Sequence, residues 1–254
     1  MAKSGGEPRP EGPPASGHES PEQRLRQEEE RLQAAYARRS CGDLYSCFNP
    51  GHLFLVQQRE QRMLELLRRH GFARLEDRRI LEIGCGEGFW INEFIKWGAK
   101  AAHITAVDLI WRHVELTRAR TNEEVTLICA NAASLDLPDA SFDLVLQATV
   151  FTSILDPAMK ARVAGEMVRL LKPGGLILWY DYHVDNPANP DVKGVKKAEI
   201  HRLFPGCRIE LERLTLAPPL CRALAPYSFL LCHLLAKIPF LCTHYLGAIR
   251  KAKA

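Results

Sequence analysis

No apolar run in this chain approaches the roughly 20 residues that a bilayer-crossing helix requires. The nearest stretch, Tyr227 to Ile238, is 12 residues long and is interrupted by His233 and Lys237. Among the eight cysteines there is no C-x-x-C pair, and no histidines fall at metal-ligand spacing. Neither a zinc nor an iron–sulfur site is therefore expected, nor any other bound metal. No secretory leader is legible at the amino end, and unpaired thiols fit a reducing compartment, so a cytoplasmic location is the expectation. Charge of one sign is also scarce. The chain has 34 Lys and Arg against 30 Asp and Glu, a formal net charge of +4, which is too small at this length to argue for nucleic acid. No internal repeat is visible. What remains is a globular composition, 46% hydrophobic and 25% charged over 254 residues, enough for one large α/β domain with appendages.

The chain is organised around Ile80-Leu81-Glu82-Ile83-Gly84-Cys85-Gly86-Glu87-Gly88. The apolar run reads as a buried parallel strand and the alternating glycines as the tight turn after it. Phe89 to Trp97 reads as the following helix, whose first N–H groups face the turn. A dinucleotide fingerprint would need glycine at position 89, where Phe89 stands. Glu82, two residues before the first glycine, would repel a pyrophosphate and suits a cation.

In chain order, residues 1–20 read as a disordered tail and residues 21–70 as a helical cap. Residues 71–254 form the main domain, with an insertion at about 217–242. Pro21 to Arg39 is charge-dense, with Leu25, Leu32 and Tyr36 at helical intervals, and reads as a solvated surface helix. Phe54 to His70 reads as a second helix. Further strands are expected over His103–Asp108, Val125–Ala130, Phe142–Gln147, Leu176–Tyr182, Arg208–Leu216 and His244–Arg250, with Leu171–Gly175 as a turn. Helices over 157–170 and 196–204 alternate with them, which implies a mostly parallel, doubly wound sheet.

The segment ILEIGCGEG resembles the glycine-rich motif of class I S-adenosylmethionine-dependent methyltransferases, with a methyltransferase type 11-like domain. Its companions follow in order: Asp108 ending the second strand, Asn131-Ala132 after the third, SFDLV at 141–145 and LKPGG at 171–175. The stretches DLYSCFNPGHLFLVQQRE, YDYHVDNPANPDVKGVKKAEIHRLFPG and PFLCTHYLGAIRK resemble bacterial methyltransferases of small-molecule substrates. The resemblance implies a Rossmann-like α/β fold with a seven-stranded sheet of order 3-2-1-4-5-7-6, and S-adenosyl-L-methionine as cofactor. The cofactor residues it implies are Glu82, Gly84, Cys85, Gly86, Gly88, Asp108, Leu109, Asn131, Ala132 and Gln147. Tyr45, with Phe48 and Asn49, would form a lid, although staple packing of Phe48 onto the next helix accounts for it equally well.

Methyl transfer needs an aligned nucleophile and, where a proton must leave, a base. His183 beyond the fifth strand is the first candidate, with Asp181 and Tyr182 beside it. The plainer account is that His183 begins a loop. His113 reads as a structural or surface residue. For Tyr227 to Ile238, core packing is favoured over an acceptor wall or a peripheral membrane contact. Residues 191–254 carry 11 Lys or Arg against 4 Asp or Glu, a solvated face or the sign of an anionic acceptor.

The expected function is transfer of a methyl group to a small-molecule acceptor, usually on oxygen: a metabolite, glycan, quinone or lipid-like compound. A nucleic-acid or protein methyltransferase is the alternative enzyme. Against it, Gln147-Ala148-Thr149-Val150 replaces an Asp/Asn-Pro-Pro-aromatic motif, and no nucleic-acid partner is expected. A non-catalytic cofactor-binding subunit is the third reading.

Overall fold

The computed structural model describes residues 20–38 and 42–252; the tail expected over residues 1–20 lies outside them, Ser20 excepted. Ser20 opens α1 (Pro21–Ala37) with a capping box, its hydroxyl accepting from the Gln23 amide while the Gln23 side chain accepts from the Ser20 amide. Asn49 opens α2 (Pro50–Arg69), its Oδ1 accepting from the Gly51 and His52 amides. With Pro50 pre-set for the first helical position, the helix begins before the apolar spacing that starts at Phe54.

Along the chain follow β1 (Ile80–Ile83), α3 (Phe89–Lys96), β2 (Ile104–Asp108), α4 (Trp111–Arg120), β3 (Thr126–Cys129), β4 (Phe142–Ala148), α5 (Pro157–Leu170) and β5 (Leu171–Tyr182). Then come α6 (Lys197–Leu203), β6 (Cys207–Leu216), α7 (Pro218–Leu224), α8 (Phe229–Leu235) and β7 (Cys242–Lys251). One sheet takes the order β3-β2-β1-β4-β5-β7-β6. The first five strands in that order run parallel, and β7 lies antiparallel to both its neighbours. The fold is a doubly wound, Rossmann-like α/β sheet, as the resemblance implies. Its order reverses between β1 and β4, the crevice where open sheets of this kind take ligands.

The expected turn at Leu171–Gly175 is instead drawn into β5. Leu171 pairs with Phe142, then the register jumps so that Leu176 faces Leu144, and Gly174 at φ 80° absorbs the irregularity.

Strand alternation divides the core between two faces. Ile80, Leu144 and Leu146 meet Met63 and Leu67 of α2 and Ile91 and Phe94 of α3. Leu81, Val145 and Trp179 meet Val163 and Met167 of α5 and Ile200 of α6. A third cluster seats α7 and α8 on the amino half of α2, with Phe54 packed among Leu216, Cys221, Ala225 and Cys232.

Two expectations are corrected. First, α1 is not a solvated helix: Glu28, Leu32 and Ala35 are buried, and Leu32 joins the face covered by α5. Secondly, Phe48 does not staple α2, because its ring stands in solvent, and the Asn49 amide is spent on capping.

Candidate functional site

The glycine turn leaves β1 at the centre of the sheet. Gly84, Gly86 and Gly88 all have positive φ, at 72°, 55° and 82°, where a Cβ is sterically disfavoured. Their surroundings differ. A Cβ on Gly84 would lie 2.5 Å from a methyl of Val150, and one on Gly88 would lie 2.7 Å from a methyl of Thr121, whereas one on Gly86 would meet nothing within 4 Å. Gly84 and Gly88 thus allow close packing, and Gly86 opens onto space. Cys85 is buried, with its thiol 3.8 Å from the Thr117 hydroxyl, and burial pushes that thiol up.

Two acids stand fore and aft of this turn. Glu82 is buried and its Oε2 has no hydrogen-bond partner. Burial, with Asp108 nearby, raises its carboxyl well above the ordinary value. Asp108, ending β2, accepts from the Gly86 amide at 2.8 Å through Oδ2, and from the Ile110 amide at 2.9 Å and His113 Nδ1 at 3.2 Å through Oδ1. It therefore shapes the turn as well as facing it. A buried carboxylate oxygen without a donor is an expensive arrangement in the absence of a cation. The charge, the open side of Gly86 and the acid at the end of β2 together fit S-adenosylmethionine.

The remaining residues expected at the cofactor are spread along the carboxyl edge. Leu109 and Ala132 are half-buried on the face covered by α5. Asn131 after β3 accepts from the Ala133 amide at 2.8 Å, and its Nδ2 donates to Glu29 of α1. Gln147 is buried, its Oε1 accepting from the Val150 amide at 3.2 Å, while its Nε2 has no partner. Thr149 beyond β4 sits at φ 60°, a left-handed conformation rare outside glycine. Tyr45, expected over the cofactor, is exposed. It ends a short 3-10 turn (Gly42–Tyr45) and meets His52 edge-on, with centroids 5.7 Å apart.

α1 crosses this edge. Glu28 accepts from the Leu155 and Asp156 amides, Arg31 pairs with Glu28 and donates to the Ser153 carbonyl, and the Tyr36 ring meets His113 edge-on at 5.1 Å. One helix thereby touches α4 and the loops after β3 and β4. Sequence reasoning missed these contacts because the residues that make them are charged and sit in a charge-dense segment. The capping box at Ser20 was the legible signal. His113 is tied to Asp108, as a structural reading allows.

Beyond β5 the chemistry changes sign. Arg59 of α2 lies over the rings of Phe89, Trp90 and Tyr180, at 4.7, 4.7 and 5.3 Å. Tyr180 stacks on His244 at 4.7 Å, and Tyr182 lies 3.7 Å from the same imidazole. The Nε atoms of Arg59 and Arg222 are buried without partners. Burial and then the two arginines lower the His52 pKa, while burial with Arg59 lowers that of His244 far more, so both rings favour the neutral form. Burial pushes the Tyr182 hydroxyl up.

His183 is buried, its Nε2 2.9 Å from the Cys242 carbonyl. A carbonyl only accepts, so Nε2 carries the proton and Nδ1 the lone pair. Burial lowers its pKa. Asp181 points elsewhere. Its oxygens accept from the Phe151, Thr152 and Tyr182 amides and from the Thr152 hydroxyl, at 2.9, 3.3, 2.9 and 2.6 Å. It anchors the loop after β4, and burial raises its pKa to about 7 against these donors. No cluster of metal-binding side chains occurs among the described residues.

By sheet order and crevice the molecule has the class I methyltransferase fold. Residues 80–175 match the family described as Methyltransferase domain; over this stretch the chain is similar to S-adenosylmethionine-dependent methyltransferases. A tRNA N(3)-cytidine methyltransferase of Gallus gallus is 35% identical over 112 residues, 41% of this chain and 30% of the relative. A probable S-adenosylmethionine-dependent methyltransferase of Mycolicibacterium smegmatis is 31% identical over 147 residues, 55% of this chain and 54% of the relative. The chain thus spans about a third to a half of these curated relatives. Among solved structures, the [4+2]-cyclase SpnF superposes with TM-score 0.55 at 18% identity, covering 76% of this chain and 82% of the cyclase; this is a likeness of fold.

Proposed function

We propose that the chain transfers a methyl group from S-adenosylmethionine to a small-molecule acceptor bound beyond β5. The observation that carries this reading is the unpartnered, buried Glu82 oxygen beside the open Gly86, with Asp108 across the turn. When bound, the donor supplies an electrophilic methyl group on a sulfonium. The chain's own residues then have three tasks. Glu82 offsets the donor's positive charge, and the remaining acceptor capacity of Asp108 meets the ribose hydroxyls. The loop after β4, held by Asp181, separates donor from acceptor, and α1 excludes water from the crevice. Orientation of that kind is worth roughly 7–11 kcal/mol.

His183 is the proposed base: a neutral imidazole with its lone pair on Nδ1 accepts a proton near neutral pH. Asp181 acts as a positioning residue, and Tyr182 lines the acceptor wall. Tyr45 belongs with that wall. Arg59 and Arg222 favour an acceptor carrying negative charge or ring oxygens, such as an acidic metabolite or glycan.

The test is labelled-methyl transfer into extract separated into small-molecule, RNA and protein fractions. Label in small molecules supports the proposal, label in RNA or protein transfers it to the alternative enzyme reading, and tight donor binding without turnover on any fraction points to a non-catalytic subunit. Within the proposal, His183→Ala is expected to lower turnover by roughly 100-fold with donor affinity unchanged by calorimetry. Wild-type turnover would remove His183 from the mechanism.

A further inference from the structure

We infer that the α7–α8 insertion is a docking surface for an anionic lipid bilayer. The two helices turn one face inward, where Cys221, Ala225 and Cys232 pack with Phe54 and Leu216, and Phe229 lies 5.6 Å edge-on to Phe54. Core packing accounts for that face alone. On the other, Tyr227 is 89% exposed, Leu230 69%, Leu234 52% and Phe240 78%, and Leu231 is exposed beside them. Single apolar side chains on a surface need no explanation, but five within residues 227–240 form a patch that water does not favour. Phe48, 97% exposed, stands two residues before α2, whose Gly51 packs against the Arg222 backbone of α7.

Charge selects the occupant. The last acid in the sequence is Glu212, and from residue 213 to residue 242 the charged residues are Arg213, Arg222 and Lys237, with His233 among them. A second copy of the chain would set these cations against each other. An anionic bilayer receives both components, with lipid phosphates meeting the exposed Arg213 and Lys237, Arg222 being turned to the acceptor wall, and the acyl boundary taking leucine and phenylalanine, while tyrosine suits the level between them. α8 has seven residues and is too short to act as an interfacial helix alone. The surface is the hairpin tip with the Pro239–Leu241 turn. No helix among the described residues is long and apolar enough to cross a membrane, so the contact is with one leaflet. The inference stands apart from methyl transfer, although Arg222 carries the insertion to the edge of the acceptor wall.

Co-sedimentation of the full chain with phosphatidylcholine vesicles, with and without about one third phosphatidylglycerol, tests it. The wild-type chain is expected to pellet with the anionic vesicles. Combined Tyr227→Ser, Leu230→Ser and Leu234→Ser should reduce that partition by roughly tenfold or more, with melting temperature and S-adenosylhomocysteine binding retained. Lys237→Glu should weaken it on anionic vesicles. Leu64→Ser, at an exposed leucine on the carboxyl half of α2, should pellet as wild type does. If the triple variant fails to fold, Leu230→Ser alone carries the test. Absence of wild-type pelleting, equal pelleting of wild type and variant, or a dimer that the same substitutions disperse would each overturn the inference.

Discussion

The donor half and the acceptor half of this sheet's carboxyl edge are made of opposite materials. Beyond β1 and β2 stand glycines and buried acids, one of them without a partner. Around the end of β5 stand Arg222, Arg59, which also reaches Phe89 and Trp90 beside the turn, and three histidines whose pKa values burial lowers. The first half is a negative seat for a cation, and the second repels one. On the proposed function, a cationic donor would be oriented by the field of the edge as well as by shape, and the acceptor side would be left to groups that tolerate positive charge.

Four measurements would break or sharpen that contrast. The largest effect is expected from Gly86→Val. Its side chain fills the open side of the turn at φ 55°, and donor affinity should fall by roughly 100-fold or more, about 3 kcal/mol, by calorimetry. Unchanged affinity would move the donor away from the turn. Next, Asp108→Ala should weaken donor binding by about 1.5–3 kcal/mol, the scale of hydrogen bonds to a charged group. A similar loss from Arg222→Gln would erase the distinction between the halves.

Glu28→Gln tests whether α1 belongs to the donor half. Leaving Arg31 and the Leu155 and Asp156 amides short of acceptors should lower stability by about 1–3 kcal/mol and speed amide exchange over residues 150–156. A change in melting without faster exchange there would make α1 a brace only. The smallest effect is a pH slope. Glu82 has a raised pKa in the folded chain, so its contribution to ligand-free stability is full below the ordinary carboxylate range and lost as pH rises through the folded value. Asp181, raised to about 7, adds a second loss in the same direction. Glu82→Gln should flatten the first and keep the second, leaving the variant more stable than wild type at pH 8 without donor and equal to it at pH 4. Identical melting curves across that range would show Glu82 to be already compensated.

The same contrast explains what the sequence could tell. The donor half lies in contiguous motifs. Glu82 to Gly88 is one strand and its turn, and Asp108 follows at the next strand end, so period, glycines and spacing suffice. Strands alternating with helices gave a mostly parallel, doubly wound sheet, while its particular order came from the resemblance to the methyltransferase family. The acceptor half is drawn from α2, β5, the insertion and β7. Arg59 of α2, Tyr180 of β5 and His244 of β7 come from distant parts of the chain, and nothing local in the chain announces their meeting. α1 was misjudged for a related reason. Its burial rests on Glu28 and Arg31 satisfying backbone groups of residues 153–156, and hydropathy does not record such partnerships.

The place of β7 bears on how the molecule assembles. Residues 242–251 fill the slot between β5 and β6, so until this strand docks β5 has an unpaired edge and β6 has no partner in the sheet. Such edges recruit foreign strands. Docking of these ten residues closes the sheet, so the order of assembly is set by the strand that comes last in the chain.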